Sequence, residues 1–311
     1  MCQTFPTSHL TPVADVELYD GRQALAHIPS SSFCARGQCQ PGTELLLQPM
    51  RHTRGRLAAR TTVDQQGAAK CEFNAQLALV SEPENMHIDT RGVWVGVHQS
   101  LGDTLAHEML KRGLMKEFGQ VVAIQRAVNK VCGTDMRADF VVTHKDGTRT
   151  ALKVKAVVDT DHNPAIDRAQ RDKDKIRFWG RETPYRRAAI YPRGERQAIY
   201  PRGERQTQRG PPGEHVDISY TTTRQLGQLM AIQTGEKLCP DGERLQAAIL
   251  FLVNRADALS FRPNREGCPS FVNHLRKAKG LGVKVMAYRV AWGTGMEEGV
   301  AYFDGAIEVD L

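Results

Sequence analysis

At 311 residues, 41% hydrophobic and 25% charged, the chain has a globular composition with room for two ordinary domains. No apolar run is long enough to cross a membrane as a helix, the N-terminal Met1-Cys2-Gln3-Thr4-Phe5-Pro6 lacks the basic and apolar segments of a secretory signal, and seven scattered cysteines without a Cys-x-x-Cys argue against a disulfide frame or zinc cage. The net charge of +7 favours a polyanionic partner, and the reduced, scattered thiols fit a cytoplasmic location.

From Val13 to Arg91 short apolar runs alternate with turn residues: Val13 to Leu18, the turn Tyr19-Asp20-Gly21-Arg22, Gln23 to Ile28, then Glu44 to Leu47 after Pro41-Gly42. Further runs at Leu57-Ala58-Ala59 and Ala75 to Val80 complete a pattern that predicts a small β-barrel over residues 1–91. Gly92 to Val97 reads as another strand. Ser100 to Lys116 carries Leu101, Leu105, Met109 and Leu110 at helical spacing, with Asp103 placed to cap the start.

Arg137 to Asp159 reads as a β-hairpin, two apolar or alternating arms about the turn Lys145-Asp146-Gly147. Arg137, Asp139 and Val141 share one face of the first arm; Lys153, Lys155 and Val157 share one face of the second. An aspartate and a lysine on adjacent strands are half of a metal-dependent phosphodiesterase site. The other half is a glutamate two residues before the lysine, where this chain has Lys153.

Residues 160–215 read as a long basic loop, with 13 Lys/Arg against 7 Asp/Glu between Ala165 and Glu214, so most of the net charge sits there. It contains a direct repeat, Ala189 to Gln197 copied at Ala198 to Gln206. Beyond it, helices are predicted at Thr221 to Ile232 and Pro269 to Lys279, and strands at Ala247 to Val253 and Val283 to Val290. Strand, helix, strand in this order implies a crossover and a partly parallel sheet, so residues 92–311 form an α/β domain.

Ala14-Asp15-Val16, Asp20-Gly21-Arg22, Trp94-Val95-Gly96-Val97, Arg137-Ala138-Asp139-Phe140, Phe251 to Asp257, Phe261-Arg262-Pro263-Asn264 and Gly282 to Tyr288 follow one another in an order that resembles the sugar fermentation stimulation protein family, SfsA. Tyr191-Pro192-Arg193-Gly194 and its second copy at Tyr200-Pro201-Arg202-Gly203 both resemble one loop motif of that family. The chain departs from it at Ser30-Ser31-Ser32, His98 and Lys153.

The resemblance implies an N-terminal OB-like β-barrel and a C-terminal restriction-endonuclease-like α/β domain, with DNA binding and nuclease activity. It implies Mg²⁺ between Asp139 and an acid such as Glu108 from the preceding helix, with Lys155 assisting. At an effective dielectric of about 20, a charged lysine roughly 5 Å from a divalent ion is repelled by on the order of 6 to 7 kcal/mol, so Lys153 argues against that metal. The expectation is therefore a nucleic-acid-binding protein contacting the phosphate backbone through Arg22, Arg36, Arg137, Lys155, Arg193, Arg202 and Arg255. An active Mg²⁺-dependent nuclease and a protein-interaction module without nucleic-acid chemistry are the competing readings.

Overall fold

The computed structural model describes residues 13–29, 41–51, 71–80, 92–158, 176–179, 186–190, 218–239, 242–263 and 268–311. In chain order the elements are β1 (Val13–Leu18), β2 (Gln23–His27), β3 (Glu44–Pro49), β4 (Phe73–Val80), β5 (Val93–Gly96), α1 (Gln99–Lys111), β6 (Val121–Val128), β7 (Ala138–His144) and β8 (Arg149–Val157). They continue with β9 (Ile176–Trp179), β10 (Arg186–Ile190), α2 (Ile218–Thr234), β11 (Gln246–Val253), β12 (Ser260–Phe261), α3 (Pro269–Gly280), β13 (Lys284–Trp292) and β14 (Ala301–Val309).

Alternation in β1 points Ala14, Val16 and Leu18 inward, and the Asp20-Gly21 turn returns the chain as antiparallel β2. The sheet runs β2-β1-β10-β3-β4-β5 and curls until β2 meets β4 through Ala26↔Phe73 and His27↔Asn74. Its interior holds Val16, Ala26, Leu45, Leu47, Phe73 and Val95. This curled half-barrel is the small β region expected from the sequence. It differs in membership: β5 joins it by pairing with β4, and β10, from the stretch read as a basic loop, lies between β1 and β3.

The second sheet runs β12-β14-β13-β11-β8-β7-β6, with β9 pairing β14. β8, β11 and β13 are parallel to one another, as the strand–helix–strand order predicts, while β6, β7 and β14 are antiparallel additions. Leu101, Leu105 and Met109 of α1 pack with Phe140, Leu152, Leu250 and Tyr288 on one face. On the other, Leu226 and Leu229 of α2 and Leu275 and Ala278 of α3 pack with Val141, Ala151, Ile249 and Phe251. Helices on both faces explain why β11 is apolar along nearly its whole length.

The two sheets meet where Gly96 Nα donates to the Asn254 carbonyl at 3.0 Å and the Trp292 indole donates to the same oxygen at 3.1 Å. A Cβ on Gly96 would stand 3.0 Å from the Trp292 ring and 3.1 Å from Asn254 Cβ, so this approach needs glycine. α1 begins at Gln99 and ends at Lys111, earlier than the spacing suggests at both ends. Its cap is His98, whose Nδ1 accepts from Ser100 N, and Asp103 sits one turn inside. Among the described residues no helix is long and apolar enough to cross a membrane. The run at Leu57-Ala58-Ala59 and the second repeat copy lie outside the described residues.

Candidate nucleic-acid interface

The β7–β8 hairpin turns where the sequence places it, with the Asp146 carboxylate accepting from Thr148 N at 2.9 Å and from its hydroxyl at 2.7 Å. From there the ladder runs back through Thr143↔Arg149 to Phe140↔Leu152 and stops. At the next position a side chain replaces the backbone partner: Asp139 Oδ2 accepts from Val154 N at 2.7 Å. The strands part at Asp139, and its carboxylate satisfies the amide that the parting would orphan.

The other oxygen, Asp139 Oδ1, accepts from Lys153 Nζ at 2.7 Å, and the same ammonium donates to the Arg137 carbonyl at 3.2 Å. Both side chains are nearly buried, Lys153 at 11% and Asp139 at 13% exposed. Lys155 follows on the same strand face and is half-buried. Burial, then the neighbouring Lys153 charge, hold its ammonium below the usual lysine range, against the opposing pull of Asp139 and Asp103.

Asp103 reaches this group from α1. Burial and the Asp139 carboxylate push its pKa up, while Lys153, Arg126 and Arg137 oppose them. Gly102 permits the approach, because a Cβ there would lie 3.3 Å from Ala156 Cβ on β8. Arg137 is exposed at the entrance to β7, and exposed Arg126 on β6 holds its guanidinium 5.9 Å from the centre of the Phe140 ring. Two carboxylates, two lysines and two arginines thus share the place where β7 and β8 separate, with the arginines outermost.

The structure brings Asp139, Lys155 and Arg137 together as the sequence suggests, and places the other candidates elsewhere. Glu108 lies five residues beyond Asp103, about 140° around the helix, within 3.7 Å of Arg112 and 3.9 Å of His107. It is not among the charges that act on Asp103 or Lys155. Arg255, expected to touch phosphate, has a side chain with no exposure. Nε and one terminal nitrogen donate to the two Asp257 oxygens at 2.7 Å each, and the other donates to the Val158 carbonyl at 3.2 Å. That arginine holds the chain together after β11 and is out of a phosphate's reach. Arg22 is half exposed beside the barrel closure, paired with Glu72 at 2.7 Å and 5.7 Å from the Phe73 ring centre. Arg36, Arg193 and Arg202 lie outside the described residues.

The donor set does not fit a divalent ion. Lys153 puts an ammonium against the Asp139 oxygen such an ion would take, Val154 N occupies the second oxygen, and Glu108 sits within 3.7 Å of Arg112. Among the described residues no three His, Cys, Asp or Glu side chains converge. Asp103 and Arg126 are the members that sequence reasoning missed. Asp103 was assigned to a helix cap, and Arg126 lies in Val121–Val128, whose apolar, β-branched run is itself a strand signal.

A family model described as the sugar fermentation stimulation protein RE domain matches residues 224–295, which include β11, α3 and β13 but not the β7–β8 hairpin. Two curated relatives, both named sugar fermentation stimulation protein homolog, come from Synechococcus sp. strains JA-2-3B'a(2-13) and JA-3-3Ab. They are 25% and 24% identical over 278 residues, 89% of this chain and 81% of each relative. The fold resembles that of Pyrococcus furiosus SfsA solved in complex with Ca²⁺, with a TM-score of 0.55 over 98% of both chains at 13% identity. By the family model in its C-terminal half and by curated relatives over most of its length, this chain is similar to the sugar fermentation stimulation proteins, and its fold resembles that of one of them over nearly all of it.

Proposed function

We propose that the protein binds nucleic acid through the phosphate backbone, without reading sequence and without a metal, at the place where β7 and β8 part. The observation that carries this reading is the Lys153–Asp139 pair at 2.7 Å with Arg126 and Arg137 exposed beside it. A divalent ion in a nuclease of this architecture supplies positive charge next to the scissile phosphate and activates water. Lys153 supplies the charge from within the chain, but an ammonium holds no water for attack. Lys155, Arg126 and Arg137 then face a polyanion, while of the two carboxylates beside them Asp139 is already bonded to Lys153 and to Val154 N. The Pyrococcus furiosus protein that shares this fold was solved in complex with Ca²⁺.

The test is binding to duplex DNA over a range of salt. Each phosphate contact adds about −0.9 to the slope of log K against log salt, so Arg126, Arg137 and Lys155 together contribute about −2.7. Arg137→Ala should flatten the slope by about 0.9 with thermal stability unchanged. A wild-type affinity insensitive to salt overturns the proposal. With Mg²⁺ or Mn²⁺, linear duplex, single strands and RNA should all stay intact; cleavage by the wild type that disappears in Asp139→Ala overturns the metal-free reading.

A further inference from the structure

The cysteines look unrelated in sequence, yet two of them meet. Cys132 Sγ and Cys239 Sγ are 2.6 Å apart, against about 2.05 Å in a disulfide, although the residues are 107 positions apart in the chain. Neither is joined in a disulfide. Cys132 lies in the turn Val131–Gly133 between β6 and β7, and Cys239 in the turn between α2 and β11.

Three further observations single out this junction. Cys132 holds a left-handed backbone (φ 48°, ψ 43°), and so do Ala127 and Lys130 just before it, the only non-glycine residues with positive φ among those described. Such clusters persist only where the surroundings enforce them. α2 also grips the same connection independently, since Arg224 and Gln228, one turn apart on the helix, both bond the Asp135 carboxylate. Finally, the two thiols differ in access: Cys132 is 3% exposed, whereas Cys239 is half-buried.

We infer that Cys132 and Cys239 form a reversible disulfide that clamps the β6–β7 connection to the end of α2. The oxidant is a small-molecule disulfide. The accessible Cys239, as thiolate, attacks one of its sulfurs, forming a mixed disulfide and releasing one thiol. Cys132, losing its proton, then attacks the Cys239 sulfur and expels the second thiol. The protein loses two hydrogens and the oxidant gains them. The new bond lies five residues before Arg137, so it fixes the segment that delivers β7 to the charged cluster. The inference does not depend on the function proposed above.

The full-length protein is incubated with oxidised glutathione, its remaining thiols are blocked, and it is digested without reductant. The expected result is two fewer blocked thiols than in the reduced protein, a peptide cross-link joining Cys132 to Cys239, and a rise in Tm of at least roughly 5 °C that dithiothreitol reverses. Cys132→Ser and Cys239→Ser should each abolish the shift. No cross-link, a cross-link confined to other cysteines, or a Tm rise that survives either substitution overturns the inference. Mapping the wild type alone decides the pairing should a serine variant fail to fold.

Discussion

Asp139–Lys153 and Arg255–Asp257 are both buried ion pairs whose cations lie on or just beyond neighbouring parallel strands, β8 and β11, and they differ in what is left over. Arg255 spends its donors on both Asp257 oxygens and a carbonyl and has no exposed surface. Lys153 meets one oxygen of Asp139, keeps some exposure, and stands among charges that remain exposed or only half-buried: Lys155, Arg137, Arg126 and Asp103. A cation whose partners saturate it holds structure. One flanked by uncommitted charge of both signs can hold structure and still face a ligand.

The comparison breaks first at the saturated pair. Asp257→Ala leaves a fully buried guanidinium without its carboxylate and should cost about 3–5 kcal/mol in urea unfolding; a loss below about 1 kcal/mol would show that Arg255 finds other compensation. Lys153→Met strands Asp139 in turn, but Arg137 and Arg126 stand near enough to offset part of the charge, so the expected loss is smaller, about 2 kcal/mol. A larger loss here than at Asp257 reverses the ranking. Asp103→Asn should act in the opposite direction and least. Because the fold raises the Asp103 pKa, the folded state binds more protons than the unfolded one between the ordinary aspartate value and the raised one. Stability therefore falls as pH rises through that window and stays lower above it. The amide should stabilise the protein at pH 7 by about 0.5 kcal/mol or less, since Asp103 is exposed to solvent, and the gain should vanish as pH drops towards about 3.9. Urea unfolding at several pH values measures it.

How much of this was legible depended on the range of the signal. The β1–β2 and β7–β8 hairpins are local, each set by an Asp-Gly turn between apolar arms, and both formed as read. The spacing of Asp139, Lys153 and Lys155 likewise gave the centre of the charged cluster. Arg255 misled because an exposed and a buried arginine look alike in sequence; Asp257, two residues on, was the one available hint of its partner. β10 was illegible for a deeper reason. Arg186-Arg187-Ala188-Ala189-Ile190 is short and basic, and what makes it a strand is a slot between β1 and β3 that lies far away in the chain.

That slot has a consequence for how the protein is born. β3 ends at Pro49 and β10 begins at Arg186, so the first strands leave the ribosome long before the strand that sits between them exists. At roughly 5–20 residues per second the gap lasts on the order of ten seconds or more, with the facing edges of β1 and β3 unpaired. The N-terminal curled sheet is therefore completed only after the β7–β8 hairpin of the second sheet has been synthesised. Truncation after residue 91 would yield a sheet without its inner strand β10 and its edge strand β5, and a chain prone to associate through the open edges. The half of the molecule that is first in sequence is finished second.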